Sequence, residues 1–184
     1  MQWECKLAGK NINLEDIWPQ ERDYISRPER YKYVRKIIKP DSCVFCNEAN
    51  LGPMGKGLCI FKSQQAMVVV NKYPYNTGHL LVLPIRHVGQ LWDLQEAEYS
   101  ELMCLLKKSV EIIEKVYQPH GLNLGMNHGK VAGAGIPEHL HWHIIPRWNG
   151  DTNFFPLIAE TKVHPETLEQ SYEKLLPEFE KLEI

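Results

Sequence analysis

No stretch of this 184-residue chain approaches the roughly 20 consecutive apolar residues that a bilayer span requires. The opening, MQWECKLAGKNINLEDIW, lacks the basic patch followed by an apolar core that marks a secretory leader. Nor is there an excess of positive charge. Lys and Arg number 21 against 23 Asp and Glu, and the resulting net of -2 leaves no basic footprint for duplex nucleic acid. Internal repeats and low-complexity tracts are missing as well. Cysteines are few and odd in number: Cys5, Cys43, Cys46, Cys59 and Cys104. Without a leader, that set argues against a disulfide framework and for reducing, cytoplasmic surroundings. The expectation is a cytoplasmic protein whose partners are neither membrane nor nucleic acid.

What the chain does have is material for a core, with 43% hydrophobic residues and both charge signs well represented. Its length fits one domain with extensions. Residues 1–40 are charged and aromatic without clear periodicity, and are expected to form an N-terminal arm. The domain proper is expected over 41–184. Gly52, Pro53, Gly55 and Gly57 mark a loop, after which LCIF and MVVVN read as short strands. HLLVLPI, an apolar run closed by proline, suits a buried strand. A long helix is expected between Asp93 and Tyr117, with Asp93 and Glu96 as a capping pair and Leu102, Leu106, Ile113 and Val116 on its inner face. LNLGMN and HLHWHIIP read as two more strands, separated by the loop GKVAGAGIP. A charged helix follows at roughly 165–181. The fold class is α+β, a mainly antiparallel sheet with one long helix packed on it.

EHLHWHIIPRW sets histidines at 139, 141 and 143. On a strand these lie on one face about 6.6 Å apart, while Leu140, Trp142 and Ile144 face the other way as core. A row of imidazoles is costly to bury unless each ring finds a partner. Two chemistries compete. Several of the rings could ligate one zinc that activates water. Alternatively one imidazole attacks phosphorus while its neighbours orient it and balance charge. The glycine-rich loop favours the second, because Gly133, Ala134 and Gly135 let backbone N–H groups close around an anion.

The alternation His139-Leu140-His141-Trp142-His143-Ile144-Ile145 resembles the signature of the histidine-triad family. The resemblance runs over about Cys43 to Arg147 and includes VVNKYPYNTGHLLVLPIRH, similar to that family's nucleoside-binding strands. It implies a nucleotidyl transferase or hydrolase that works through a covalent nucleotidyl-histidine, and a homodimer. By position it assigns His141 as nucleophile and His143 to the phosphate oxygens. It places Asn71 at the ribose, where a strand-end turn is the other reading, and Asn127 at phosphate. Val44, Phe45 and Val69 are candidates for the base pocket or for plain core. The family's Gly-Gln-Ser or Gly-Gln-Thr segment is replaced by AGAGIPEH, so phosphate binding would rest on backbone N–H groups. Glu138 becomes a candidate for proton transfer or for contact with an incoming phosphate.

CVFC supplies two thiols at the spacing of half a tetrahedral zinc site, with no thioredoxin-like pattern around it. The missing ligands are expected to be histidines, first His87. His139 is the second, through the resemblance to zinc-containing members of the family. Such a closed Cys43, Cys46, His87, His139 site would hold a structural zinc. Of the other histidines, His79 is expected nearest the active site. IIPRWNGDTNF and the long tail are similar to the diadenosine tetraphosphate phosphorylase branch. That similarity implies dinucleoside polyphosphate substrates and inorganic phosphate as acceptor. Hydrolysis of dinucleoside polyphosphates or nucleoside phosphoramidates, and a zinc-stabilised nucleotide-binding module without turnover, are the alternatives.

Overall fold

A computed structural model describes residues 42–53, 57–151 and 164–183. The N-terminal arm expected over 1–40 lies outside these residues, as does the segment 152–163. The described chain runs α1 (Val44–Leu51), β1 (Cys59–Lys62), β2 (Ala66–Val70), β3 (Leu80–Pro84), a single 3-10 turn (Leu91–Asp93), α2 (Glu96–Tyr117), β4 (Gly121–Met126), β5 (Trp142–Arg147) and α3 (Leu168–Phe179). The strands form one five-stranded sheet in the order β1-β2-β3-β5-β4, antiparallel at every junction. The α+β class and the long packed helix are as expected.

The central strands AMVVV and LLVLP are buried at every residue because the sheet is covered on both faces. Ala66, Val68, Val70, Leu80, Val82 and Ile144 meet Leu102, Leu105, Ile112 and Ile113 of α2, with Leu175 and Phe179 of α3 completing that layer. The alternate residues Met67, Val69, Leu81 and Leu83 face the other way and pack with Phe45 and Ala49 of α1. Period-two alternation thus divides one set of apolar strands between two cores.

The cap of α2 differs from the expected Asp93–Glu96 pair. Asp93 closes the 3-10 turn, and the capping box is Gln95 with Glu98. The Glu98 carboxylate accepts the Gln95 N–H at 2.9 Å and also receives Arg86 through two bonds of 2.7 Å, so it does two jobs at once. The helix stops where Gln118 enters the left-handed region at φ 45° ahead of Pro119. The last helix is shorter than 165–181 and begins on a Thr167/Gln170 capping box. Its Tyr172 hydroxyl donates to the Cys59 carbonyl at 3.0 Å, tying α3 to the edge strand β1.

The histidine strand also starts later than expected, at Trp142. Its neighbour β3 ends at Pro84, which cannot donate to a ladder. The Leu140 N–H instead finds the Val88 carbonyl at 2.7 Å in the loop beyond. Only His143 sits in the ladder, opposite Leu81 on one side and Gly125 on the other. His139 lies in a bend, with its N–H turned back to the Ile136 carbonyl at 3.2 Å, and His141 follows outside the ladder.

Candidate active site

All three histidines are buried, at 0%, 7% and 8% exposure for His139, His141 and His143, yet each is held differently. His141 donates from Nδ1 to the His139 carbonyl at 2.8 Å. A carbonyl can only accept, so the proton of the neutral ring is on Nδ1 and the lone pair is on Nε2. Burial lowers the ring's pKa, which keeps that lone pair available near neutrality. The ring packs against Phe45 at 5.0 Å and stands 5.1 Å from the His143 ring.

His143 has the opposite arrangement. Its Nδ1 meets His79 Nε2 at 2.9 Å. His79, itself 1% exposed, accepts the Tyr75 backbone N–H at its Nδ1 over 3.0 Å, with the Asn71 amide nitrogen 3.2 Å from the same atom. A neutral His79 that accepts at Nδ1 must donate from Nε2, so His143 accepts at Nδ1 and carries its own proton on Nε2. That Nε2 is buried without a hydrogen-bond partner among the described residues. Burial first, then the neighbouring His141, pushes the His143 pKa down to about 4, so the ring is neutral at pH 7. An unmatched buried N–H asks for an acceptor. Across the ladder stands Gly125, where an added Cβ would meet nothing within 4 Å, so the space beside the ring is open.

The phosphate-loop candidates gather nearby. Gly129 and Gly133 take φ of +87° and +93°, and the Gly133 and Ala134 N–H groups close back on Lys130 and Gly129. A Cβ on Gly133 would lie 3.8 Å from the Asn127 amide nitrogen, so that residue and the loop are neighbours. Ala134 is buried and Gly135 exposed. Glu138 is exposed, with its backbone so close to Gly89 that a Cβ there would lie 3.1 Å from the Glu138 Cα. Asn71 uses its side-chain oxygen to accept the Tyr73 N–H at 3.0 Å, the turn-forming role. Val69 lies in the core beneath α1, packed with Phe45 of that helix.

His139 belongs to another cluster. The ligand atoms of Cys43, Cys46, His87 and His139 all lie within 4.8 Å of one another. Cys43 Sγ and Cys46 Sγ stand 3.4 and 3.7 Å from His139 Nδ1, and Cys46 Sγ stands 3.4 Å from His87 Nδ1. Around a tetrahedral zinc with bonds of about 2.1 Å to nitrogen and 2.3 Å to sulfur, ligand atoms are about 3.4–3.8 Å apart. The spacing fits. The tautomer fits as well, because His139 Nε2 donates to the Pro84 carbonyl at 2.8 Å, leaving the Nδ1 lone pair for the cluster. Burial and the adjacent Cys43 push the Cys46 thiol pKa up, an environment that favours a thiolate only beside a cation. These residues would hold the ion in a closed set with no vacant position.

Comparison with known proteins identifies the family and the fold. The HIT domain profile matches residues 56–150, and the chain belongs to the HIT family. An AP-4-A phosphorylase of Mycobacterium tuberculosis is 43% identical over 124 residues, 67% of this chain and 64% of that protein. A Schizosaccharomyces pombe asymmetrical bis(5'-nucleosyl)-tetraphosphatase is 36% identical over 99 residues, 54% of this chain and 53% of that one. The match thus spans less than two thirds of either relative. A hypothetical histidine triad nucleotide-binding protein from Sulfolobus tokodaii superposes with a TM-score of 0.61 at 29% identity, covering 75% of this chain and 92% of that chain. A Zn-bound histidine triad family protein from Mycobacterium smegmatis shares the fold, with a TM-score of 0.60 at 24% identity over 76% of this chain and 94% of that chain.

His79 is more closely tied to the site than the sequence indicates. Its position near the site was expected, but its hold on the His143 tautomer was not. The signal lay in YNTGH, where the turn brings the Tyr75 N–H back onto the ring. Phe45 was also undervalued, since its ring touches His139 and His141.

Proposed function

We propose that this protein cleaves dinucleoside polyphosphates of the diadenosine tetraphosphate type through a covalent nucleotidyl intermediate on His141, with inorganic phosphate as the acceptor. The observation that carries this reading is the opposed pair of tautomers. His141 offers a lone pair at Nε2 and His143 offers an N–H there, on rings 5.1 Å apart. His141 Nε2 forms a bond to the α-phosphorus as the bond to the bridging oxygen breaks, and the departing polyphosphate keeps the electron pair. Phosphate leaving groups have their second pKa near 6, so a hydrogen bond from His143 suffices and no proton need be delivered. A phosphate oxygen then attacks the same phosphorus, the P–N bond breaks, and His141 is regenerated. Asn127 would hold a non-bridging oxygen, whereas the Gly133 and Ala134 N–H groups are already engaged by the Lys130 and Gly129 carbonyls and would shape the loop rather than bind phosphate. Asn71 would lend the second lone pair of its oxygen to a ribose hydroxyl, and exposed Glu138 would meet the acceptor. With water as acceptor the same site is a hydrolase.

Zinc is proposed for Cys43, Cys46, His87 and His139, in a structural role. The ion would supply cross-linking of three chain segments and no vacant site for a water. A two-fold homodimer is proposed through β4, an edge strand among the described residues that leaves Leu124 at 49% exposure.

Incubation with diadenosine tetraphosphate, with and without phosphate, tests the reaction. ADP plus ATP, formed only with phosphate, is the expected result. AMP plus ATP without phosphate would mean hydrolysis, and nucleotide binding with no turnover would refute catalysis. His141→Ala is expected to lower turnover about a thousand-fold or more while nucleotide binding stays within a few-fold.

A further inference from the structure

Resting on that reading of His141, we propose that the Cys43–Cys46–His87–His139 cluster is the positioning device for the nucleophile, acting through the His139 carbonyl and the Phe45 ring. The need for such a device arises because His141 precedes the sheet. The ladder begins at Trp142, so neither the carbonyl of His139 nor the ring of His141 is set by strand pairing. The segment from 139 to 141 hangs on a few bonds: His139 N–H to Ile136 at 3.2 Å, Leu140 N–H to Val88 at 2.7 Å, and His139 Nε2–H to Pro84 at 2.8 Å.

The cluster secures the rest. His139 Nδ1 faces both thiols, and His87 directly precedes Val88, whose carbonyl takes the Leu140 N–H. The side chain of His139 is thus anchored while its own carbonyl receives the His141 Nδ1–H at 2.8 Å. Phe45 lies between the two cysteines in sequence and rises from the same helical turn. It meets His139 edge-on at 5.5 Å and the His141 ring at 5.0 Å. One knuckle therefore grips the nucleophile from two sides, by a hydrogen bond that sets the tautomer and by a ring that sets its plane.

The knuckle itself is fixed to the sheet. The Glu48 carboxylate accepts the Leu58 and Cys59 N–H groups at 2.6 and 3.1 Å, and Lys62 Nζ donates to the Ala49 carbonyl at 2.7 Å. Thiols and imidazoles meeting without an ion are joined only by weak sulfur hydrogen bonds, whereas metal–ligand bonds fix all four side chains. Cys43, Cys46 and His87 are accordingly positioning residues. A misplacement of about 1 Å at an attacking atom can cost about a hundred-fold in rate.

The test uses the full chain with ¹⁵N-labelled histidine in three forms: zinc-loaded wild type, the zinc-loaded variants His87→Ala and Phe45→Leu, and chelator-stripped protein below its melting point. Two-bond ¹H–¹⁵N correlations report the His141 tautomer, and single-turnover labelling reports nucleotidylation. In loaded wild type a single Nδ1–H pattern is expected. Stripped protein and both variants should show a mixed or averaged pattern and a nucleotidylation rate ten- to a hundred-fold lower. The AMP Kd of stripped protein and His87→Ala should stay within about threefold. An unchanged tautomer and rate in stripped protein and in both variants overturn the proposal. So does a rate loss that merely tracks AMP affinity while the tautomer holds. If stripped protein unfolds, the two loaded variants decide alone. Should loaded wild type form no covalent species, the proposed reaction fails, and the tautomer comparison still decides the positioning role.

Discussion

At the residue scale, the proposed chemistry depends on where two protons sit. His79 determines the second of them: by accepting from Tyr75 at one nitrogen it is obliged to donate from the other, which leaves His143 as an Nε2–H donor. Replacing His79 by Phe keeps a ring in the buried space but releases that constraint. Turnover is expected to fall about a hundred-fold with nucleotide Kd little changed. A kcat within twofold of wild type, measured beside Kd, would show the relay to be idle. His143 also couples stability to pH. Its pKa is about 4 in the folded chain against 6.5 unfolded, so the unfolded state takes the proton first. The stabilisation is complete above pH 6.5 and is lost as pH falls through 4. About 2.5 pH units at about 1.4 kcal/mol each amount to about 3 kcal/mol. Urea midpoints of wild type and His143→Gln, followed from pH 7 to 4, should therefore converge, wild type losing the steeper share. Parallel curves would count against it.

At the scale of elements, a close approach of two loops bears on the site, and a helix start bears on stability alone. Gly89 lies against the chain entering the triad: a Cβ would stand 2.7 Å from the Pro137 carbonyl and 3.1 Å from the Glu138 Cα. Both are backbone atoms that cannot swing away. Gly89→Ala is expected to destabilise by about 1–3 kcal/mol and to lower kcat more than affinity, since it pushes on the residue before His139. Chemical denaturation and steady-state kinetics read both effects. Glu98 acts on the other face of the sheet. Its carboxylate caps α2 and binds Arg86, whose partial exposure makes the pair worth little more than the cap. Glu98→Ala should lower stability by about 1–2 kcal/mol and leave the nucleotide Kd unchanged. A changed Kd would mean that α2 contributes to the site.

For the whole molecule, the cluster joins three segments distant in sequence: α1, the loop after β3 and the approach to β5. Cys43→Ser is expected to lose stoichiometric zinc under reducing conditions and to lower Tm by roughly 10 °C, at about 2–4 °C per kcal/mol for a chain this long. Undiminished Tm and an absence of zinc in wild type would remove the metal from the picture. Leu124→Lys, placed on β4, a sheet edge among the described residues, should shift sedimentation from dimer to monomer if the proposed two-fold pairing is right.

Much was legible from residue order alone. Apolar runs bounded by turn formers located β1 to β4, and the helical period located α2. The CVFC spacing marked a candidate half-site, and the HLHWH alternation marked three histidines as candidate site residues. These are local patterns, and local sterics and periodicity are carried within a few residues of chain. The division of labour among the histidines was not local. The sequence resemblance assigned His139 to the metal, but only folding showed His139 Nδ1 facing two thiols nearly a hundred positions upstream, and only the Tyr75 turn settled the His143 proton. The late start of β5 and the Gln95–Glu98 cap likewise followed from partners in space, Val88 for Leu140 and Arg86 for Glu98. A tautomer is set by whichever donor or acceptor reaches the ring, and that is settled by packing across the fold rather than by neighbours along the chain.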